Sequence, residues 1–218
     1  MNKRTLALRV ARYSEALDQL NWAARWRAMV NANRAGVPML ASRYELYEYI
    51  NTAVEADPIT YLEFGVSSGE TLRSWVKLNA NVASRFVGFD TFFGLPEDWN
   101  KTKPQGSFST GGQLPTIDDA RVSFEVGLFQ ETLRPFLNGA DLDGRLVVNL
   151  DADLYSATLF VLTQLDARMA SGTVLLFDEF QSVLQEFRAW HDYLASYQRK
   201  WKLLALAAGG DHAAVELE

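Results

Sequence analysis

Five apolar segments of this 218-residue chain each run into a glycine or an acid, the residue types that make room for a ligand or hold one. "YLEFGVSSGETL" leads from Tyr61 to Gly65, Ser67, Ser68 and Gly69, and "SRFVGFD" ends on Asp90. "VSFEVG" ends on Gly127, "RLVVNLD" reaches Asp151 with Asp153 two residues on, and "GTVLLFDEF" reaches Asp178 and Glu179. Gly65 and Gly69 frame a G-x-x-x-G turn, and Asp90 follows Gly69 by 21 residues at the end of the next segment. An acid in that place accepts hydrogen bonds from ribose hydroxyls, so the turn is expected to hold a nucleoside. Taken singly, the glycines also suit a plain strand-to-helix turn, and Asp90 suits a cap on the turn after it.

Two nucleoside cofactors compete for this geometry, and charge separates them. NAD carries a pyrophosphate, which needs a tight G-x-G-x-x-G turn and close approach to a helix N-terminus. Here Ser67 stands where the second close glycine would be. S-adenosylmethionine carries a sulfonium and an amino acid tail instead, and Glu63, just before the turn, is placed to meet the tail's ammonium.

The elements that must position these residues alternate. After Pro38, helix-like "SRYELYEYINTAVEA", "GETLRSWVKLN", "FQETLRPFL", "YSATLFVLTQLDARM" and "SVLQEFRAWHDYLASYQ" separate the strand-like segments, and "WKLLALAA" and "HAAVELE" close the chain. Strands alternating with helices predict an α/β fold with a doubly wound, mostly parallel sheet. "VVNL" and "TVLLF" are continuously apolar, as central strands covered on both faces must be. In such sheets ligands bind beyond the strand C-termini, where the five ends above lie.

Composition narrows the partners. The chain is 48% hydrophobic and 22% charged, without a long apolar run or a linker between two cores, which predicts a soluble globular protein, cytoplasmic by default and without stable membrane insertion. No cysteine is present, so disulfides and thiolate chemistry are excluded. A net charge of −6 and the lack of a basic, aromatic-bearing run in the main body argue against nucleic acid. Residues 1–34 differ: seven Lys/Arg stand against two Asp/Glu. Leu6, Val10, Tyr13, Leu17 and Leu20 recur at helical spacing there, and Trp22, Trp26, Met29 and Val30 extend the apolar surface. This predicts an N-terminal helical extension, residues 1–43, that docks on the body, pairs with a second copy in a homo-oligomer, or meets an anionic surface, ahead of a main domain over 44–218.

"LEFGVSSGETL", "FVGFDTFFGLP", "GLFQETL", "LDADLYSAT" and "GTVLLFDEF" together resemble the class I S-adenosylmethionine-dependent methyltransferases, and within them the macrocin O-methyltransferases that modify sugars of macrolides. The resemblance runs from about Tyr44 to the C-terminus. It implies a seven-stranded sheet in the order 3-2-1-4-5-7-6, the last strand antiparallel. It places Glu63, Gly65, Ser67 and Gly69 along the methionine part of the cofactor, Asp90 on the ribose, and Thr91 and Phe92 beside the adenine. Gly127 and Phe129 approach the adenine edge, and Asp151 also borders the cofactor.

The resemblance further implies a magnesium ion held by Asp151, Asp178 and Glu179. Neighbouring strand ends lie about 4.8 Å apart, close enough for two carboxylates to share a cation that lowers the acceptor hydroxyl's pKa. Glu179 departs from the Asp or Asn usual after the strand-five Asp. Alternatively, Asp153 caps the helix beginning "LYSATLF", and Asp178 caps the turn into the next helix. His191 and His212 fall outside the motifs, which leaves Asp153 or Glu179 as the proton acceptor. Phe93, Trp99 and Tyr155 are candidate acceptor contacts, and the Gly-, Ser- and Thr-rich loop from Thr102 to Pro115 is a candidate lid. The function expected is methyl transfer to a hydroxyl of a small, sugar-containing molecule. A non-catalytic nucleoside-binding or assembly protein is the alternative. An NAD-dependent oxidoreductase is weaker, since no Tyr-x-x-x-Lys pair occurs.

Overall fold

The computed structural model describes residues 14–54, 58–142 and 144–218. Among the described residues, eight strands form one sheet: β1 (Met39–Leu40), β2 (Ile59–Phe64), β3 (Arg85–Asp90), β4 (Val122–Val126), β5 (Arg145–Leu150), β6 (Val174–Phe177), β7 (Trp201–Ala207) and β8 (His212–Leu217). Their order is β1-β7-β8-β6-β5-β2-β3-β4, with β8 antiparallel to both neighbours and every other pairing parallel. Without β1 this is the expected seven-stranded order. The two-residue β1 adds an edge that Met39 and Leu40 are too short a run to announce in sequence.

The helices are α1 (Ser14–Asn33), α2 (Arg43–Val54), α3 (Glu70–Leu78), α4 (Phe129–Gly139), α5 (Tyr155–Leu165) and α6 (Glu186–Tyr197). Alternation along the strands divides the core between the two faces of the sheet. Leu62 and Phe64 of β2 join Val148 and Leu150 of β5 under α1, α4, α5 and α6. Tyr61 of β2 and Val147 of β5 join Leu46, Ile50, Leu72 and Trp75 of α2 and α3 on the other face. All six residues of β2 and all four of β6 are buried, as continuous apolar strands require.

Two helices depart from the expected reading. In α1, Leu17 and Leu20 are 49% and 69% exposed, so the described part of the expected apolar face points outward. Leu6, Val10 and Tyr13 lie outside the described residues. The docking contact comes instead from Trp22, Ala23, Trp26, Met29 and Val30, with the Trp22 ring edge-on to Phe187 and His191 of α6. The helix expected from Ser182 starts only at Glu186. Gln185 (φ −114°, ψ −104°) breaks the spiral, and its side chain accepts the Tyr155 amide of α5 at 2.7 Å. No helix among the described residues is long and apolar enough to cross a membrane.

Candidate active site

Parallel pairing runs one residue past the strands and sets five chain ends side by side. The amide of Gly127 donates to the Asp90 carbonyl, that of Gly65 to Phe89, that of Asp151 to Phe64 and that of Asp178 to Leu150, all at 3.0–3.1 Å. Across the sheet the row reads Gly127, Asp90, Gly65, Asp151, Asp178. From β2 the chain winds outward to β3 and β4, then returns to β5 and β6, so the gap between Gly65 and Asp151 is the topological switch point. A cavity of about 440 Å³ opens there. Gly65 makes the close approach possible: at φ +96°, a Cβ on it would lie 1.8 Å from the Asp151 carbonyl oxygen.

Asp90 organises the turn. Its Oδ2 accepts the amides of Val66 and Ser67, each at 2.7 Å, and its Oδ1 accepts the amide of Phe92 at 2.7 Å. One carboxylate thus ties the glycine turn to the loop after β3, and the turn-capping alternative is part of its geometry. Ser67 sits at φ +47° and donates its hydroxyl to the Phe108 carbonyl at 3.3 Å.

Of the residues expected from the sequence to bind or act, Gly65, Ser67, Asp90, Thr91, Phe129, Asp151, Asp153, Asp178 and Glu179 line the cavity. Glu63, Gly69, Phe92 and Gly127 do not. Phe92 is wholly buried, edge-on to Phe124, so it lies beneath the wall and not beside a ligand. Gly69 (φ +75°) packs against Pro115. Phe93, Trp99 and Tyr155, the expected acceptor contacts, also lie off the cavity; Tyr155 donates to Asp192 at 3.0 Å under the Arg188 guanidinium. The aromatic that reaches the cavity from the Thr102–Pro115 loop is Phe108, flanked by Trp99 and Lys103. The loop is stitched down by amides of Thr110 and Gly112 to the Phe92 carbonyl, and across its neck the Leu95 amide donates to the Ser107 carbonyl while the Leu95 carbonyl accepts the Gly106 amide.

Glu63 is buried on β2 with Tyr61 donating to its Oε2 at 2.6 Å, while Oε1 makes no hydrogen bond. Burial pushes its carboxyl up to about 8, against the pull of the Tyr61 bond. In the unfolded chain it ionises near 4.5, so between those values the unfolded state holds fewer protons and stability falls as pH rises. Glu63→Gln is expected to flatten that fall and to raise stability at pH 8 by about 2–3 kcal/mol. Urea midpoints at pH 5.5 and pH 8 test it; a variant that tracks the parent protein at both would mean that the folded carboxyl is already ionised.

The acids at the other strand ends influence one another. Burial, then the charges of Asp178, Glu63 and Asp153, holds the Asp151 carboxyl well above its usual range. Burial and Asp178 push Asp153 to about 7, and burial with Asp153 and Asp178 pushes Glu179 to about 8. Asp178 goes the other way. Burial alone would raise it, but the neighbouring His212 and the charge of Arg43 hold it down. Arg43 Nη1 lies 3.1 Å from Asp178 Oδ1 and 3.3 Å from Oδ2, and His212 Nδ1 lies 3.3 Å from Oδ1. The capping alternatives for the acids are not realised. The residue before α5 is Leu154, with Gln185 on its first amide, and Asp178 pairs with Arg43 and His212, eight residues ahead of α6.

Residues 114–204 match the model of the family described as macrocin-O-methyltransferase (TylF). The match agrees with the resemblance read from the motifs over those residues. The matched stretch contains the Gly127, Asp151 and Asp178 strand ends, while the glycine turn and Asp90 lie ahead of it. Among solved structures, the calicheamicin methyltransferase CalS11 superposes with a TM-score of 0.65 at 22% identity, over 80% of this chain and 78% of that one. CalS11 is described as a TDP-rhamnose 3'-O-methyltransferase. The O-methyltransferase NovP gives 0.63 at 19% identity, with the same coverage of both chains. An O-methyltransferase from Bacillus cereus, in complex with SAH, gives 0.55 at 14% identity over 91% of this chain and 90% of that one. At these identities the likeness speaks to the fold. No curated protein matches the sequence.

The expected magnesium site meets an obstacle in the side chains. Asp151, Asp178 and Glu179 share the cavity, yet among the described residues no group of three or more His, Cys, Asp or Glu converges as a metal-holding set. Both Asp178 oxygens already face the Arg43 guanidinium. The arrangement does not fit a divalent ion.

Arg43 and Phe108 escaped the sequence reading. Arg43 is 135 residues from its partner Asp178, so no local spacing links them. Phe108 sits among loop residues with φ +65°, a conformation that a phenylalanine does not advertise.

Proposed function

We propose that this protein is a cytoplasmic S-adenosylmethionine-dependent O-methyltransferase acting on a hydroxyl of a small, sugar-containing molecule. The observation that carries the reading is the charge of the cavity at the switch point. Among the described residues, six carboxyl side chains line it and Arg43 is the one basic side chain. Such a lining repels the pyrophosphate of NAD and suits a cofactor whose sulfonium and ammonium are positive. The family match and the folds of CalS11 and NovP support the same class.

In this reading the Gly65–Gly69 turn and Asp151 border the methionine part, and Asp90 holds the turn that faces the ribose. Phe129 and Thr91 lie on the adenine side. The bound cofactor supplies an activated methyl group, which needs in-line approach more than acid–base assistance. Held by the Gly65–Gly69 turn and Asp151, the cofactor would supply its methyl group to the acceptor oxygen and would keep the electron pair of the carbon–sulfur bond. The hydroxyl proton passes to a carboxylate of the chain. Asp153 is the best placed, because it lines the cavity and its pKa of about 7 lets it take a proton at neutral pH; Glu179 is second. Phe108, Leu95 and Pro96 offer the apolar wall against which a sugar-bearing acceptor can lie.

The test is a calorimetric titration of the purified protein with S-adenosylhomocysteine beside NAD. Binding of S-adenosylhomocysteine alone is expected. A folded sample that binds NAD, or neither ligand, would overturn the reading.

A further inference from the structure

The residues at the ends of β5 and β6 form an acidic cluster that already contains a cation. Arg43 opens α2 and reaches across to Asp178 with a side chain 32% exposed, against 13% for Asp178. Both bonds to Asp178 come from one nitrogen, Nη1, so this is not the two-nitrogen fork that would occupy the guanidinium fully. The other nitrogens do not bond Asp178, and Arg43 lines the cavity. Its carbon Cζ lies 5.7 Å from the Tyr44 ring centroid, which steadies the group from outside. His212, 3.3 Å from Asp178 Oδ1, fixes the carboxylate from the side of β8. A guanidinium paired with Asp178 and lining the same cavity as Asp151 brings to these strand ends the sign of charge that a shared metal ion would bring.

We propose that Arg43 is the resident cation of this site, standing where a divalent ion would sit between the β5 and β6 strand ends, and that the site takes no divalent metal. The inference deepens the methyl-transfer reading and rests on it for what the cation serves: an acceptor oxygen losing its proton would meet the guanidinium of Arg43. A guanidinium binds such an oxygen without dehydrating a metal ion and keeps its charge at any working pH.

The probe is Mn2+, titrated into the full chain at saturating S-adenosylhomocysteine and followed by calorimetry and by thermal unfolding. The parent protein is expected to show no Mn2+ binding up to millimolar concentration and no shift in Tm. Arg43→Gln, which frees the carboxylates, is expected to bind Mn2+ at least about tenfold more tightly than the parent and to gain Tm with the metal. Arg43→Lys keeps the charge and is expected to behave as the parent does. Submillimolar Mn2+ binding by the parent overturns the proposal, and so does an Arg43→Gln protein that folds yet ignores Mn2+. Should Arg43→Gln not fold, the parent and Arg43→Lys arms still decide, because metal binding by either is incompatible with a resident organic cation. Failure of S-adenosylhomocysteine to bind the parent counts against the methyl-transfer reading alone; the Mn2+ titration is then run without it and decides Arg43 by the same outcomes.

Discussion

Gly65→Ala is expected to destabilise the protein by about 3–5 kcal/mol, the largest effect of any single methyl group at this site. Two costs combine. The residue sits at φ +96°, where a side chain is strained, by about 1–3 kcal/mol. The added Cβ would also lie 1.8 Å from the Asp151 carbonyl oxygen and 2.8 Å from its carbon, both backbone atoms that move only if β2 and β5 part. Overpacking of that kind costs about another 1–3 kcal/mol. For a chain of this size each kcal/mol lowers Tm by about 2–4 °C, so a fall of about 10 °C or more is expected. Gly111→Ala is the control, since Gly111 also has positive φ, +68°, but nothing stands within 4 Å of its added Cβ. A loss below about 1 kcal/mol for Gly65→Ala, by urea unfolding, would show that the strand ends are not in contact, and with them the switch-point cavity would be lost.

Asp90→Ala is expected to weaken S-adenosylhomocysteine binding by about 10- to 100-fold, about 1.5–3 kcal/mol. The substitution strips the acceptor from three amides at once, those of Val66, Ser67 and Phe92. Hydrogen bonds to a charged acceptor are about twice as strong as neutral ones, and their loss frees both the glycine turn and the loop after β3. Asp90→Asn should fare little better, because one accepting oxygen becomes a donor that meets other donors. Calorimetry on each variant, with the urea midpoint to establish folding, gives the answer. Undiminished affinity in a folded Asp90→Ala protein would remove Asp90 from the site.

These expectations draw unequally on sequence and structure. The strand order was legible because the motifs resemble those of a family with a known topology; continuous runs such as "VVNL" and "TVLLF" told only which strands are central and covered. The row of strand-end residues was legible for a related reason. In a parallel sheet every strand points the same way, so the residue after each apolar run must reach the same edge. Gly65, Asp90, Asp151 and Asp178 could therefore be placed together from a linear reading. Phe92, Phe93, Trp99 and Tyr155 could not, because whether an aromatic turns inward or toward a ligand depends on packing between loops distant in sequence.

What the sequence determined by itself is thus the α/β fold class, the edge of the sheet that carries the site, and the acidic character of that edge, since all three follow from local periodicity and residue type. Only the tertiary structure decided which charges meet there. Arg43 reaches Asp178 from 135 residues away, and His212 reaches it from the antiparallel β8. Ion pairing falls off with distance in space and is indifferent to distance along the chain, so a cation brought in by the packing of α2 leaves no trace in the spacing of residues.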